Sequence, residues 1–345
     1  MRLLIDGRAA EQEILTGVQR YARDIAAWLE RLGVDFELAR PPRGATLRKH
    51  LWEQGKLRRM SRPYDVLFCP ANLAPVRSVR PARLVVTLHS VAFAHDVMGY
   101  TPAFRWYYRW MIPRVIDRAD ALIAVSHAER DRIAALYPPA AAKMTVVHHG
   151  VDPAFGPVGG RPERPYVLFV GSLSAGKAPD TAIAALGRIA EMVPHRFVLV
   201  GETGGPFLEL TTELRAVEHG LAPDRVDFLG SITDTARLAR LYSQADALVL
   251  PSRYESFGLP VLEAMACGTA VIASDLPALR EVAATAAVYA APGDVDGWAA
   301  ALRSVLTDPA RRADLRRRGL ERAKAFGWRQ CAQRTLAVLE QAARA

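Results

Sequence analysis

Features that define several protein classes are missing from this sequence of 345 residues. Its three cysteines, Cys69, Cys267 and Cys331, lie far apart and form no CxxC pair. This spacing argues against a disulfide framework and a zinc site, and favours free buried thiols in a reducing compartment. No window approaches the ~18 consecutive apolar residues of a membrane-spanning helix. The opening "MRLLIDGRAA" is too short and too acidic for a signal peptide, so we expect a cytoplasmic protein.

Hydrophobic residues, in contrast, are plentiful, and basic residues are unevenly distributed. Half of the chain is hydrophobic, and its length corresponds to two domains at about 100–200 residues each. The formal net charge is +9; residues 1–160 carry 23 Lys and Arg against 15 Asp and Glu, whereas residues 161–345 carry 22 against 21. The excess positive charge predicts that the first half meets a nucleic acid, an acidic membrane or a phosphorylated substrate.

Short apolar segments alternate with helix-length periodic segments along the chain. The strands predicted in this way are 3–5, 66–68, 84–88, 121–125, 145–147, 166–170, 197–200, 226–229, 247–250, 270–273 and 287–289. Helices are predicted at 18–31, 103–118, 128–136, 179–192, 233–244 and 259–266. Continuously apolar strands that alternate with helices indicate an α/β fold whose parallel sheets are covered on both faces.

One segment interrupts this alternation. Residues 150–165, "GVDPAFGPVGGRPERP", are rich in Gly and Pro and have no apolar period, which is typical of a linker. We therefore predict two doubly wound domains, 1–160 and 161–330. Ligands of such sheets bind at the carboxyl ends of the strands, so the site is expected in a cleft between the domains.

The segment "RYESFGLPVLEAMACG", Arg253–Gly268, combines a strand end, a turn and a helix start. Pro260 suits the first turn of a helix, and the backbone N–H groups of residues 256–259 would form a diphosphate site at its positive end. Glu263 could bind two vicinal ribose hydroxyls, and Glu255 could reach a second sugar. Either acid alone is equally well explained as a loop acid or a partner of the helix dipole. The whole segment 253–268 favours a binding site for a nucleotide sugar.

The E-x7-E arrangement in "ESFGLPVLEAMACGTAVIAS" strongly resembles the signature of retaining glycosyltransferases of the GT-B fold, family 4. The segments "RLLIDGRAAEQEILTGVQRYARDI", "LVVTLHSVAFAHD", "KMTVVHHGVDPAF" and "YVLFVGSLSAGKAPDTAIAAL" resemble other family segments in the same order, so the resemblance covers most of the chain. It implies two Rossmann-like, doubly wound parallel-sheet domains that face a central cleft. It also implies that the C-terminal helix, 331–345, packs back on the first domain, which binds the acceptor.

The resemblance further implies roles for individual residues. His89 and Glu255 would be catalytic, Glu263 would bind the ribose hydroxyls, and Lys177 would neutralise the diphosphate. The other positions would hold the donor mainly through their backbones: Gly17, Leu229, Gly230, Ser256, Phe257, Gly258 and Leu259. Gly17 would allow a close approach to the phosphates. We expect no metal and no other cofactor, because Lys177 and the helix start could stabilise the leaving diphosphate.

Three positions depart from the family pattern. The diphosphate loop often carries Arg–Lys, and here the pair is Gly176–Lys177, so that one positive group is absent and another basic residue must compensate. Ser90 stands where an Asp often follows the loop histidine, and His149 stands where an Asn often precedes the linker. These changes bear on donor preference and on the role of His89.

Two segments of the first half mix basic and aromatic residues. Arg40–Pro63 has eight Lys and Arg against one acid; it predicts contact with an anionic membrane, at roughly 1 kcal/mol per basic residue, although a solvated helix face is the alternative. In Phe104–Arg118 the helical spacing of the aromatics favours core packing. We expect no nucleic acid, because no recognition motif accompanies the basic residues. Residues 294–296, "DVD", favour a helix cap over a metal site.

The sequence thus predicts a metal-independent, retaining glycosyltransferase at the cytoplasmic face of the inner membrane. It would move a hexosyl unit from GDP-mannose or a similar nucleotide sugar to a glycan or lipid-linked acceptor in surface polysaccharide biosynthesis. The alternatives are a same-fold nucleotide-sugar epimerase or glycogen-synthase-like enzyme, and a non-catalytic module that binds a nucleotide sugar or a partner. Loss of transfer with retained nucleotide binding in Glu255→Ala would separate the enzyme from the module.

Overall fold

The computed structural model describes residues 1–10, 17–42, 46–95, 99–160, 162–202 and 220–345. The chain divides into two units. Unit 1 contains residues 1–94, 105–150 and 327–345, and unit 2 contains residues 95–104 and 151–326. The chain passes from unit 1 to unit 2 between Gly150 and Val151, at the start of the segment rich in Gly and Pro, and the sequence-based boundary at residue 160 lies inside unit 2.

Unit 1 is built on a sheet of six parallel strands in the order β2-β1-β3-β4-β5-β6. The strands are β1 (Leu3–Asp6), β2 (Phe36–Ala39), β3 (Val66–Cys69), β4 (Arg83–Leu88), β5 (Ala121–Ala124) and β6 (Met144–Val146). The helices are α1 (Gly17–Arg31), α2 (Thr46–Trp52), α3 (Arg58–Met60), α4 (Pro102–Arg118), α5 (His127–Leu136) and, at the end of the chain, α12 (Trp328–Arg344). A π-helical turn, Glu53–Leu57, joins α2 to α3.

The core of unit 1 lies between its sheet and two helices that come from opposite ends of the sequence. Helix α1 buries Tyr21, Ile25 and Leu29, which recur at helical spacing on one face. Trp328 and Leu339 of α12 belong to the same hydrophobic cluster. The last helix therefore completes the core of the first sheet.

Unit 2 repeats the architecture with six parallel strands in the order β12-β11-β10-β7-β8-β9. The strands are β7 (Tyr166–Val170), β8 (Arg196–Val200), β9 (Val226–Phe228), β10 (Ala247–Leu250), β11 (Ala270–Ser274) and β12 (Ala287–Ala290). The helices are α6 (Pro179–Arg188), α7 (Thr235–Gln244), α8 (Leu259–Ala266), α9 (Pro277–Ala283), α10 (Val295–Leu306) and α11 (Pro309–Ala323). The predicted α/β class with two doubly wound parallel sheets is confirmed.

Two smaller predictions are also confirmed in these units. Asp294 is the N-cap of α10, where its Oδ1 accepts a hydrogen bond from the Gly297 backbone N–H at 3.0 Å. The three cysteines are buried and unpaired. Burial raises the pKa of Cys267 and of Cys331 to about 12, so that both thiols stay protonated at neutral pH.

The surface of unit 1 corrects the interpretation of its aromatic segments. Trp106 and Trp110 of α4, which were assigned to the core, are 69% and 42% exposed. Their helical spacing therefore reflects an exposed stripe, because positions i and i+4 share one face whether or not that face is buried. Trp52, in contrast, is buried. None of the described helices combines the length and the apolarity that crossing a bilayer requires.

Candidate functional site

The loop after β10 and the start of α8 form the best-defined site in unit 2. Gly258 is the N-cap of α8 with φ +98°, and a Cβ at this position would meet Cδ2 of Leu279 at 2.5 Å. Only glycine fits this left-handed, crowded position without strain. The N–H groups of Val261 and Leu262 donate to the Gly258 carbonyl at 3.0 and 3.2 Å, which fixes the first turn.

Glu255 and Lys177 contact each other directly. Nζ of Lys177 donates to Oε1 of Glu255 at 2.6 Å, and Oγ of Ser252 donates to the same oxygen at 2.8 Å. The Lys177 side chain is 20% exposed and that of Glu255 is 7% exposed. Because the pair is largely withdrawn from water, each charge depends strongly on the other. Two residues that the resemblance assigns to the donor are therefore one electrostatic unit.

Backbone hydrogen bonds join the loops that carry this pair. The N–H group of Arg253 donates to the Gly176 carbonyl at 2.8 Å, and the N–H groups of Lys177 and Ala178 both donate to the Ser174 carbonyl at 3.0 Å. The loop after β7 and the loop after β10 thus lie side by side at the carboxyl ends of neighbouring strands. Parallel α/β sheets bind their ligands at such edges.

Glu263 lies in the interior of unit 2. It is 3% exposed, and its Oε2 accepts a hydrogen bond from the hydroxyl of the fully buried Tyr242 at 2.8 Å. Leu229 and Gly230 follow β9. The Leu229 N–H donates to the Leu199 carbonyl at 3.0 Å, and the Gly230 carbonyl accepts from the Gly201 N–H at 3.0 Å.

The remaining predicted positions of unit 2 are consecutive in the loop that precedes α8. Ser256 is half-buried, whereas Phe257 is buried and packs its ring against Phe326 with centroids 6.0 Å apart. Leu259 is the first residue of α8. The Phe257 side chain therefore anchors the loop, which leaves the backbone as the part of Phe257 that could meet a ligand.

His89, in unit 1, follows β4 and is held by two contacts. Its backbone N–H donates to Oδ1 of Asn72 at 2.6 Å, and its Nε2 lies 2.8 Å from the Pro70 carbonyl oxygen. Since a carbonyl only accepts, Nε2 carries the hydrogen. Burial lowers the pKa of His89 to about 4, and the Pro70 hydrogen bond offsets this only in part. At neutral pH His89 is therefore an uncharged imidazole.

Gly17 is exposed and is the first residue of α1. The sequence prediction placed it within the loop that precedes this helix. Residues 11–16, which precede Gly17 in the sequence, lie outside the described part of the chain.

A buried charged cluster in unit 1 was missed by the sequence analysis. Arg8 contacts Oε2 of Glu53 through Nη1 at 2.6 Å and Oδ2 of Asp6 through Nη2 at 2.9 Å. All three residues are buried. Burial raises the pKa of Asp6, and the Arg8 guanidinium opposes that shift. The sequence has one signal for this cluster: Glu53 is the only acid in the segment 40–63, which has eight basic residues.

Comparison with known families covers both halves of the chain. Residues 154–322 match the family described as glycosyl transferases group 1, and residues 15–155 match glycosyltransferase family 4. The D-inositol 3-phosphate glycosyltransferase of Kineococcus radiotolerans is 34% identical over 255 residues, which are 66% of this chain and 59% of that protein. The chain spans from 50% to 59% of the length of the curated relatives that it matches.

Solved structures resemble the chain over nearly its full length. A sucrose-phosphate synthase from Thermosynechococcus elongatus has a TM-score of 0.79 at 22% identity, with 99% of this chain and 98% of that chain covered. HepE from Anabaena, in complex with UDP-glucose, has a TM-score of 0.75 at 19% identity, with 99% of each chain covered. At these identities the likeness shows a common fold.

Proposed function

We propose that this chain is a GT-B glycosyltransferase that moves a hexosyl unit from a nucleotide-diphosphate sugar to a hydroxylated acceptor and retains the anomeric configuration. The observation that carries the proposal is the Lys177–Glu255 pair beside the start of α8. A cation, a carboxylate and the positive end of a helix lie together at the carboxyl edge of a parallel sheet. This combination suits a ligand that has both phosphates and hydroxyls.

Each residue of unit 2 would have a distinct role. Lys177 and the backbone N–H groups of residues 256–259 would stabilise the negative charge that develops on the leaving diphosphate. Glu255 would accept hydrogen bonds from hydroxyls of the transferred sugar, and Glu263 would do so from the ribose. Leu229 and Gly230 would border the base through their backbones. These groups would supply the electrostatic stabilisation without a metal.

His89 would contribute from unit 1 as a neutral group. With Nε2–H directed at the Pro70 carbonyl, only Nδ1 is left as an acceptor on the ring. A pKa of about 4 means that at neutral pH His89 lacks the second ring proton with which an imidazolium acts as an acid. Its part in transfer would therefore be to orient a sugar hydroxyl rather than to protonate a leaving group.

The donor can be identified by binding and the reaction by its product. GDP, UDP, ADP and dTDP, each with its hexose derivatives, are screened by thermal shift, because a ligand of the native state raises the melting temperature. GDP-mannose is the predicted donor, and the HepE complex supports including UDP-glucose. Transfer is then followed with EDTA present, and the anomeric configuration of the product is read by NMR. A protein that binds none of the nucleoside diphosphates is not a glycosyltransferase of this kind.

The acceptor would be a glycan or lipid-linked saccharide at an anionic membrane, in surface polysaccharide biosynthesis. In 40–63 the side chains of Arg48, Lys56 and Arg59 are exposed, and Leu51 is 66% exposed. Exposed basic residues next to an exposed apolar one suit the surface of an anionic bilayer. Because Trp52 is buried, aromatic anchoring would come from Trp106 and Trp110 instead.

Helices α2 and α4 are direct neighbours. The Tyr107 hydroxyl lies 3.0 Å from Nδ1 of His50, and the two rings have centroids 5.0 Å apart. Leu51 adjoins His50 in the chain, and Trp106 adjoins Tyr107. The exposed residues of both helices would therefore contribute to one docking surface, where tryptophan suits the boundary between headgroups and acyl chains.

A further inference from the structure

The candidate diphosphate site has less positive charge than its sequence first indicates. The loop Gly171–Ala178 contains one basic residue, Lys177. That charge is already paired with Glu255 at 2.6 Å. A diphosphate that entered this site would meet a pair with no net charge and the partial charge of a helix start. A second cation nearby would raise the positive potential that attracts a polyanion.

Arg253 is the basic residue that the structure brings to this place. Its backbone N–H donates to the Gly176 carbonyl at 2.8 Å, so its Cα adjoins the residue before Lys177. Ser252, Tyr254 and Glu255, its neighbours in the loop, are buried, whereas Arg253 is exposed. Within the described ranges, no carboxylate forms an ion pair with its guanidinium. The guanidinium of Arg253 therefore shares no described carboxylate with which a ligand would have to compete.

We infer that Arg253 binds the diphosphate of the donor and replaces the positive group that is absent at Gly176. The inference rests on the proposed function and concerns the same site. The guanidinium has five N–H donors in a planar fork, which matches two phosphate oxygens at once. In this arrangement Lys177 holds the Glu255 carboxylate in position, and Arg253 supplies the net attraction for the phosphates.

The inference is tested by comparing nucleotides with nucleosides. Dissociation constants of GDP, guanosine, UDP and uridine are measured by calorimetry for the wild type and for Arg253→Gln. We expect the diphosphate that the wild type binds more tightly to lose about tenfold or more in affinity, the range of one charged hydrogen bond. The affinity for its nucleoside stays unchanged. Arg253→Lys keeps the charge but not the planar fork, so it recovers only part of the loss.

Matched controls separate this inference from the proposed function. Arg240 is exposed on α7, and Arg240→Gln removes the same charge from unit 2 without an effect on diphosphate affinity. Equal diphosphate affinity in Arg253→Gln and the wild type overturns the role of Arg253 and leaves the proposed function intact. An equal loss for diphosphate and nucleoside also overturns it, because the side chain then supports the loop and not the phosphates. A wild-type protein that binds neither diphosphate overturns the proposed function itself.

Discussion

The hydroxyl of Tyr242 donates a hydrogen bond to Oε2 of Glu263 at 2.8 Å, and both side chains are buried in unit 2. A buried carboxylate needs such partners, because an unsatisfied polar group costs about 1–3 kcal/mol. If Glu263 binds the ribose, Tyr242 holds the carboxylate in the orientation that binding requires. The pair thus links the packing of α7 against α8 to nucleotide affinity.

Tyr242→Phe tests this link. We expect a loss of about 1–3 kcal/mol in the free energy of unfolding, measured by urea denaturation, since the carboxylate loses a donor. Nucleoside affinity, measured by calorimetry, should also fall. Tyr166→Phe is the control. The Tyr166 hydroxyl donates to the Leu241 carbonyl at 2.7 Å, so the variant should lower the free energy of unfolding but leave nucleoside affinity unchanged. Unchanged nucleoside affinity in Tyr242→Phe would contradict the orienting role.

Glu255→Gln separates catalysis from donor binding. The amide keeps the shape of the side chain but removes its charge, and we expect transfer to fall by about 100-fold or more, as when a transition-state contact is lost. Nucleoside diphosphate affinity should stay equal or become tighter, because Lys177 no longer has its charge neutralised. Initial rates and calorimetry measure the two effects. Glu191→Gln, at an exposed position of unit 2, should change neither. Full transfer activity in Glu255→Gln would exclude a catalytic role.

The stability of unit 1 should depend on pH through His89. Its folded-state pKa of about 4 lies below the ordinary value of 6.5, so below pH 6.5 the unfolded chain binds a proton that the native state does not. The resulting stabilisation is complete above pH 6.5 and is lost as the pH falls through about 4, by about 3 kcal/mol in total. Burial also lowers the pKa of His149, so His149 adds to the loss of stability as the pH falls.

Urea denaturation between pH 7 and pH 4, monitored on unit 1 tryptophans, measures this slope. In His89→Gln the side chain at position 89 cannot titrate, so the dependence of stability on pH should be weaker than in the wild type. The dependence that remains would be due to His149. An identical slope in His89→Gln and the wild type would show that His89 titrates normally in the native state.

The exposed tryptophans of α4 should control association with membranes. We expect Trp106→Ala with Trp110→Ala to reduce binding to vesicles of phosphatidylglycerol and phosphatidylethanolamine by about tenfold, since interfacial tryptophans supply apolar contact. Vesicle flotation measures the bound fraction. Met192→Ala, which removes another exposed apolar side chain in unit 2, should have no effect. Wild-type binding that is as strong to neutral vesicles would contradict an electrostatic contribution.

The sequence identified most of the fold because the strands are short and continuously apolar. Tyr166–Val170 and Ala247–Leu250 were predicted with the bounds that the structure has. Strand β2, Phe36–Ala39, was missed, since a four-residue edge strand with Glu37 inside it has little apolar signal. The helix predicted to extend to Met192 ends at Arg188.

The individual residues of the candidate site were easier to name than their pairings. Lys177 and Glu255 were both assigned to the donor, but the bond between them spans 78 positions of sequence and no local pattern encodes it. The same holds for Arg8 and Glu53. Such pairs follow from strand order and loop length together. The exposure of Trp106 could not be inferred from periodicity, because a period defines a face without saying what covers it.

The position of helix α12 at the end of the sequence sets the order in which the two units can fold during synthesis. Every residue of unit 2 has been synthesised by position 326, whereas unit 1 still lacks Trp328 and Leu339. The apolar surface of α1 and the first sheet therefore stays uncovered until α12 has been synthesised. Between the synthesis of residue 326 and that of α12, unit 2 is complete in sequence, whereas the hydrophobic core of unit 1 still lacks one helix. During this interval the exposed apolar surface of unit 1 is a binding site for a chaperone.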